Sequence, residues 1–206
     1  MKREYEPTQP KNPHQLTVNQ HIHSRACIKR FADSSGRVAV VLAGATAAIF
    51  ANPKDAVFCA LRVWDEGLEH GLFERVEGAF QKEVRALLRD GSVTDHKAIS
   101  EYYSIWQIRV QLNDNPVGDA IVGVAEREIS KDEEEMLEKK RVSFIRDRSV
   151  PGRFVARPIA VRQHNKNMLS LGGVRWGVLK SPNGPGFVCP GTPDGQPYIP
   201  LVQAPL

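Results

Sequence analysis

Apolar side chains recur at helical spacing over residues 68–89, where Leu72, Val76, Phe80, Val84, Leu87 and Leu88 stand three or four positions apart and line one face of an amphipathic helix. Gly91 ends that pattern. Ser92 with Asp95 resembles a capping box, and Ile99, Tyr102, Tyr103, Trp106 and Val110 then repeat at helical spacing until Asn113, Asp114, Asn115 and Pro116 close the element. The two segments predict an antiparallel helix hairpin. Its expected core is Phe73, Val76, Phe80, Val84, Leu87, Ile99, Trp106 and Val110. A third helix is predicted over residues 131–146, with Ser130 as N-cap, Glu133 completing the box, acids in the first turn and bases in the last. Only Met136, Leu137, Val142 and Phe144 give it an apolar stripe, so it is expected on the surface.

Elsewhere the pattern is shorter and β-branched. Residues 37–42 and 48–51 follow the turn at Asp33, Ser34, Ser35 and Gly36 and predict a hairpin that Pro53 ends. After Pro151, residues 153–161 and 174–180 suggest strands, and Phe187 with Val188 and Tyr198 with Ile199 could complete a sheet. The expected fold class is α+β: a central antiparallel helix hairpin packed on a small, mostly antiparallel sheet, with an additional surface helix. Residues 1–19 hold Pro7, Pro10 and Pro13 without any period and read as an extended N-terminal arm; residues 20–206 read as a single α+β domain.

Composition narrows the class. The 206 residues are 41% hydrophobic and 25% charged, as in a globular chain with a real core. The longest apolar run, residues 38–51, is 14 long, against the ~20 needed to span a bilayer. No secretory leader is evident in the polar first 20 residues, so a cytoplasmic protein without a membrane partner is expected. Cys27, Cys59 and Cys189 form neither a disulfide framework nor a zinc knuckle. The net charge of +4 conceals segregation. Residues 139–180 carry eleven basic side chains against one acid, Asp147, and the acids of 132–135 stand just before them. Within that stretch Arg153, Arg157, Arg162, Lys166, Arg175 and Lys180 are the candidate nucleic-acid-binding residues, with Phe154 and Trp176 between them as possible stacking faces.

Chemistry concentrates at Gln20, His21, Ile22, His23, Ser24 and Arg25. Two histidines at i and i+2 share a face of an extended chain, as an acid and base or two metal ligands would, and as structural histidines also can. A metal would need a third ligand that the sequence does not single out, so neither a metal nor a cofactor is assigned. Cys27 beside them is a candidate nucleophile or a packing cysteine, and Cys189 is the other candidate thiol. Signatures of esterases, nucleoside triphosphatases, dinucleotide enzymes and zinc proteases are absent from the sequence.

The segment from Gln20 through His21, Arg30, Phe31 and Ala32 to Asp33 resembles the opening motif of an uncharacterised microbial family, domain of unknown function 4238. His21 matches the histidine of that motif. The strand after Gly36, the turn at Asn52, Pro53 and Lys54, the helix around Glu77, the helix ending near Arg109, and Tyr198 to Leu201 follow the family's order. Ser24 stands where the family usually has proline, and Pro190, Gly191, Thr192 and Pro193 where it commonly has Ser-Asp-Asn-Pro. The resemblance implies an order of elements and a role for His21, and no reaction. Three functions are therefore open: binding of an anionic partner such as nucleic acid through the basic C-terminal face, a hydrolase or nuclease using His21 and His23 as general base or metal ligand, and a non-enzymatic regulator that grips a protein surface.

Overall fold

The computed structural model describes residues 5–42, 46–123 and 128–178. In chain order the elements are β1 (Asn19–His21), the short α1 (Arg25–Ile28), β2 (Val38–Val41), β3 (Ala48–Ala51), β4 (Cys59–Leu61), α2 (Glu66–Leu68), α3 (Glu74–Asp90), α4 (His96–Asp114), β5 (Ala120–Ile121), α5 (Lys131–Lys139), β6 (Ser149–Val150) and α6 (Gly152–Leu171). A π-helical turn, Glu69–Phe73, joins α2 to α3. The class is α+β. Among the described residues the strands form three separate antiparallel pairs, β1 with β4, β2 with β3 and β5 with β6.

The helix hairpin is the one its apolar period predicts. Val76, Phe80, Val84 and Leu87 are buried along α3, and Ile99, Tyr102, Ile105, Trp106, Ile108 and Leu112 along α4. Val110 is only half-buried and Leu88 is exposed, because the covered face of each helix is narrower than its apolar content. Asp95 itself caps α4, its carboxylate accepting from Ala98 N at 2.9 Å, so Ser92 has no capping role. Helix α4 is buried on almost every side since it lies between α3 and α6.

Residues 153–161 are helical, a correction to the strand expected there. Their β-branched residues and Pro158 disguise a helical burial pattern, in which Arg153, Ala156, Ala160 and His164 face inward at spacings of three and four, with Phe154 beside them. Ala156 and Ala160, both wholly enclosed, let α6 close on α4. No strand forms over residues 174–178, and Trp176 packs instead against the core. Leu179, Lys180, Cys189 and the strands expected near Phe187 and Tyr198 lie outside the described residues.

Helix α5 overturns a second expectation. The Ser130–Glu133 capping box forms, but the helix stops at Lys139 and is docked by its acids: Glu134, Glu135 and Glu138 are buried. Buried carboxylates need partners. Arg62 and Arg153 take Glu138 at 2.6 and 2.9 Å, Arg146 takes Glu134 at 3.1 Å, and the backbone N–H of Gln9 donates to Glu135 at 2.7 Å. The arm is thus strapped to the body, with Lys139 Nζ on Gln15 O at 2.8 Å and Thr17 N on Glu66 at 2.5 Å as further ties.

Candidate functional site

The two sequence-predicted histidines do not face one site. Strand β1 ends at His21, the chain bends, and Ser24 opens α1, so the i, i+2 relation of an extended segment is broken. His21 is half-buried, and its Nε2 donates to the carbonyl of Pro53 at 2.9 Å. His23 turns into the core. The Tyr102 hydroxyl accepts from Ser24 N at 3.0 Å and hydrogen-bonds His23 Nδ1 at 2.8 Å, while His23 Nε2 is buried without a partner among the described residues. Burial first, with the Arg109 and Arg30 cations adding to it, drops the His23 pKa from 6.5 to about 3. Gln20 is a buried clamp, donating to Trp64 O at 2.6 Å and accepting from Val63 N at 2.7 Å. Cys27 is wholly enclosed and burial pushes its thiol pKa up, the opposite of an activated nucleophile. Among the described residues no three His, Cys, Asp or Glu side chains group to hold a metal ion.

The predicted basic residues divide into two sets. Arg153 is buried, on Glu138 and Glu6. Arg157 is half-buried and lies flat over Gly67, where an added Cβ would stand 2.4 Å from its Cζ, to pair with Asp65 at the N-terminus of α2. Both guanidinium groups are paired with internal carboxylates. Arg162 and Lys166, one turn apart on the outer side of α6, are exposed, as is Arg175, and none of the three pairs with an acid among the described residues. Phe154 is buried edge-on against Phe144 at 5.0 Å between centroids. Trp176 is tied by its indole N–H to Ser100 Oγ at 2.9 Å. Phe154 is thus closed to a partner, and Trp176 is half-buried against the core.

A groove of about 520 Å³ lies between the start of α3, the start of α4 and the middle of α6, whose Val161, His164, Asn165 and Met168 form one wall. Arg75, Lys97, Glu101, His164 and Asn165 line it, and Leu72 of the π-helical turn forms part of its apolar wall. Arg75 and Lys97 are exposed; Glu101 offsets Lys97 across one turn at 3.8 Å. His164 Nδ1 is engaged with Ser104 Oγ at 3.0 Å, which leaves Nε2 as the nitrogen for the groove. Burial pushes the His164 pKa below 6.5; Glu101 opposes that shift and Arg75 adds to it, so the ring is neutral near pH 7. Arg75, Lys97, an amide and a neutral imidazole against the single carboxylate of Glu101 suit an anionic group rather than a cation. Arg75 and Lys97 carry no sequence signal of this role, because the groove is made by three segments brought together only in the fold.

Comparison with protein-family models, with curated proteins and with solved structures gave no match.

Proposed function

We propose that this protein binds nucleic acid through its phosphates, from the groove that holds Arg75 and Lys97 across the outer side of α6, where Arg162 and Lys166 stand. The observation that carries this reading is the exposed Arg162 and Lys166 row on the outer side of α6, unpaired among the described residues, on the same helix that walls a groove holding Arg75 and Lys97. Phosphate contacts position a protein on a strand without reading its sequence. With Phe154 buried and Trp176 held half-buried against the core, binding is expected to depend on charge and to be indifferent to base order. A labelled single-stranded oligonucleotide titrated by fluorescence anisotropy should bind the wild type and lose at least about tenfold in affinity on the double reversal Arg162→Glu, Lys166→Glu, a change of about 1.4 kcal/mol or more. Unchanged affinity in that variant, or no binding at low salt, would overturn the proposal.

The hydrolase or nuclease reading has less to stand on, since His21 is bonded to a backbone carbonyl and His23 is enclosed. Kinship with domain of unknown function 4238 is a proposal resting on the motif of residues 20–33. A cytoplasmic location is a proposal too; no helix among the described residues is long and apolar enough to cross a membrane.

A further inference from the structure

Three cations converge on the side chain of a single residue of the arm. Arg146 grips Glu6 as a fork, Nη1 to Oε1 at 2.9 Å and Nη2 to Oε2 at 3.2 Å; Arg153 Nη1 donates to Oε2 at 2.5 Å, and Lys131 Nζ closes on Oε1. Arg62 Nη1 holds the Glu6 backbone carbonyl at 3.0 Å. Bidentate guanidinium geometry with a second Arg and a Lys is the arrangement that recognises carboxylates and phosphates alike.

The cage holds more donors than Glu6 fills. Among the described residues Arg153 Nη2 and Arg62 Nε are buried without an acceptor, on side chains only 5% and 1% exposed. A carboxylate offers two oxygens, and both of Glu6's are already taken by the Arg146 fork, Arg153 and Lys131. A phosphate group brings at least one oxygen more. Among the described residues, without Glu6 the four cations Arg62, Lys131, Arg146 and Arg153 would face Glu134, Glu138 and Asp119, leaving positive charge in surplus. A cleft of about 340 Å³ bordered by Tyr5, Glu6, Arg62, Asp119 and Arg153 gives room beside the cage. Arg62 is also held at φ +47°, a left-handed conformation costly for a residue with a Cβ, and such strain persists where the surroundings fix a side chain in place.

We propose that this cage is a phosphate-binding site, held in this structure by Glu6 as a tethered stand-in, and that an external phosphate group occupies it when the arm lifts. The site goes beyond the α6 groove and shares no lining residue with it. The phosphate could be free, at the end of a nucleotide, or on a peptide side chain, and the shared chemistry is the tetrahedral anion.

Calorimetric titration with inorganic phosphate, a nucleoside 5′-monophosphate and a phosphoserine peptide, each against wild type, Glu6→Ala and Glu6→Gln, tests it. The expected result is at least tenfold tighter binding of one or more of these probes by Glu6→Ala than by wild type, with the gain removed when Arg146→Ala is added. The probe that gains most names the source. Should Glu6→Ala fail to fold, Glu6→Gln, which keeps the side-chain shape and removes the charge, must show the same gain. No tighter binding of any probe by a folded Glu6 variant, or a gain that survives Arg146→Ala, overturns the proposal.

Discussion

Arg62 Nη2 lies 2.6 Å from Glu138 Oε2, and the two side chains are 1% and 2% exposed. This pair joins the end of β4 to α5 across 76 positions of sequence. Removing one member of such a pair strands a buried charge, at a cost of about 3–5 kcal/mol. Arg62→Ala and Glu138→Ala should each show that loss in equilibrium urea unfolding; a loss below about 1 kcal/mol in both would mean the pair does not hold α5 to the body.

Phe80 stacks on Tyr102 with ring centroids 3.8 Å apart and planes 4° from parallel, and it is wholly enclosed. Phe80→Ala should cost about 3–5 kcal/mol. Leu88, one residue past the buried Leu87 and 57% exposed, is the control: Leu88→Ala should stay within about 0.5 kcal/mol. Similar losses at both positions would place the covered face of α3 wrongly.

The hairpin of α3 and α4 is legible because local apolar period decides it, and so is the Ser130–Glu133 box, a contact within one turn. Helix α6 is not, since Val155, Ile159 and Val161 favour strands and Pro158 disfavours a helix interior, while the burial that overrides them comes from α4. The same limit hides the role of the basic stretch. Arg153 finds Glu6 across 147 positions and Arg157 finds Asp65 across 92, and no local pattern distinguishes those arginines from the exposed Arg162. The His21 and His23 pair misleads for a different reason: spacing implies a shared face only while the chain stays extended, and β1 ends at His21.

Gly152 opens α6 against the backbone of Val117, where an added Cβ would meet the carbonyl oxygen at 1.9 Å. Backbone cannot swing away as a side chain can. Gly152→Ala should destabilise by about 1–3 kcal/mol in thermal or urea unfolding, and a neutral result would show that this junction is looser than drawn.

His23 makes stability fall in mild acid. The native imidazole resists protonation down to about pH 3, while the unfolded one takes a proton near 6.5, so acid favours the unfolded chain. This contribution is complete above pH 6.5 and fades by up to about 1.4 kcal/mol per unit as pH falls toward 3. Between pH 6.5 and 5 the slope of unfolding free energy should be shallower in His23→Gln than in wild type; identical slopes would mean His23 is not enclosed as a neutral ring.

The central claim is that the groove beside α6 holds phosphates, and the salt dependence of oligonucleotide binding tests it most directly. If Arg75, Lys97, Arg162 and Lys166 each neutralise one phosphate of a single strand, log K should fall against log salt with a slope of about −3, and with about half that slope in the Arg162→Ala, Lys166→Ala double variant. A slope near zero in the wild type, or the same steep slope in both proteins, would contradict the assignment of this groove.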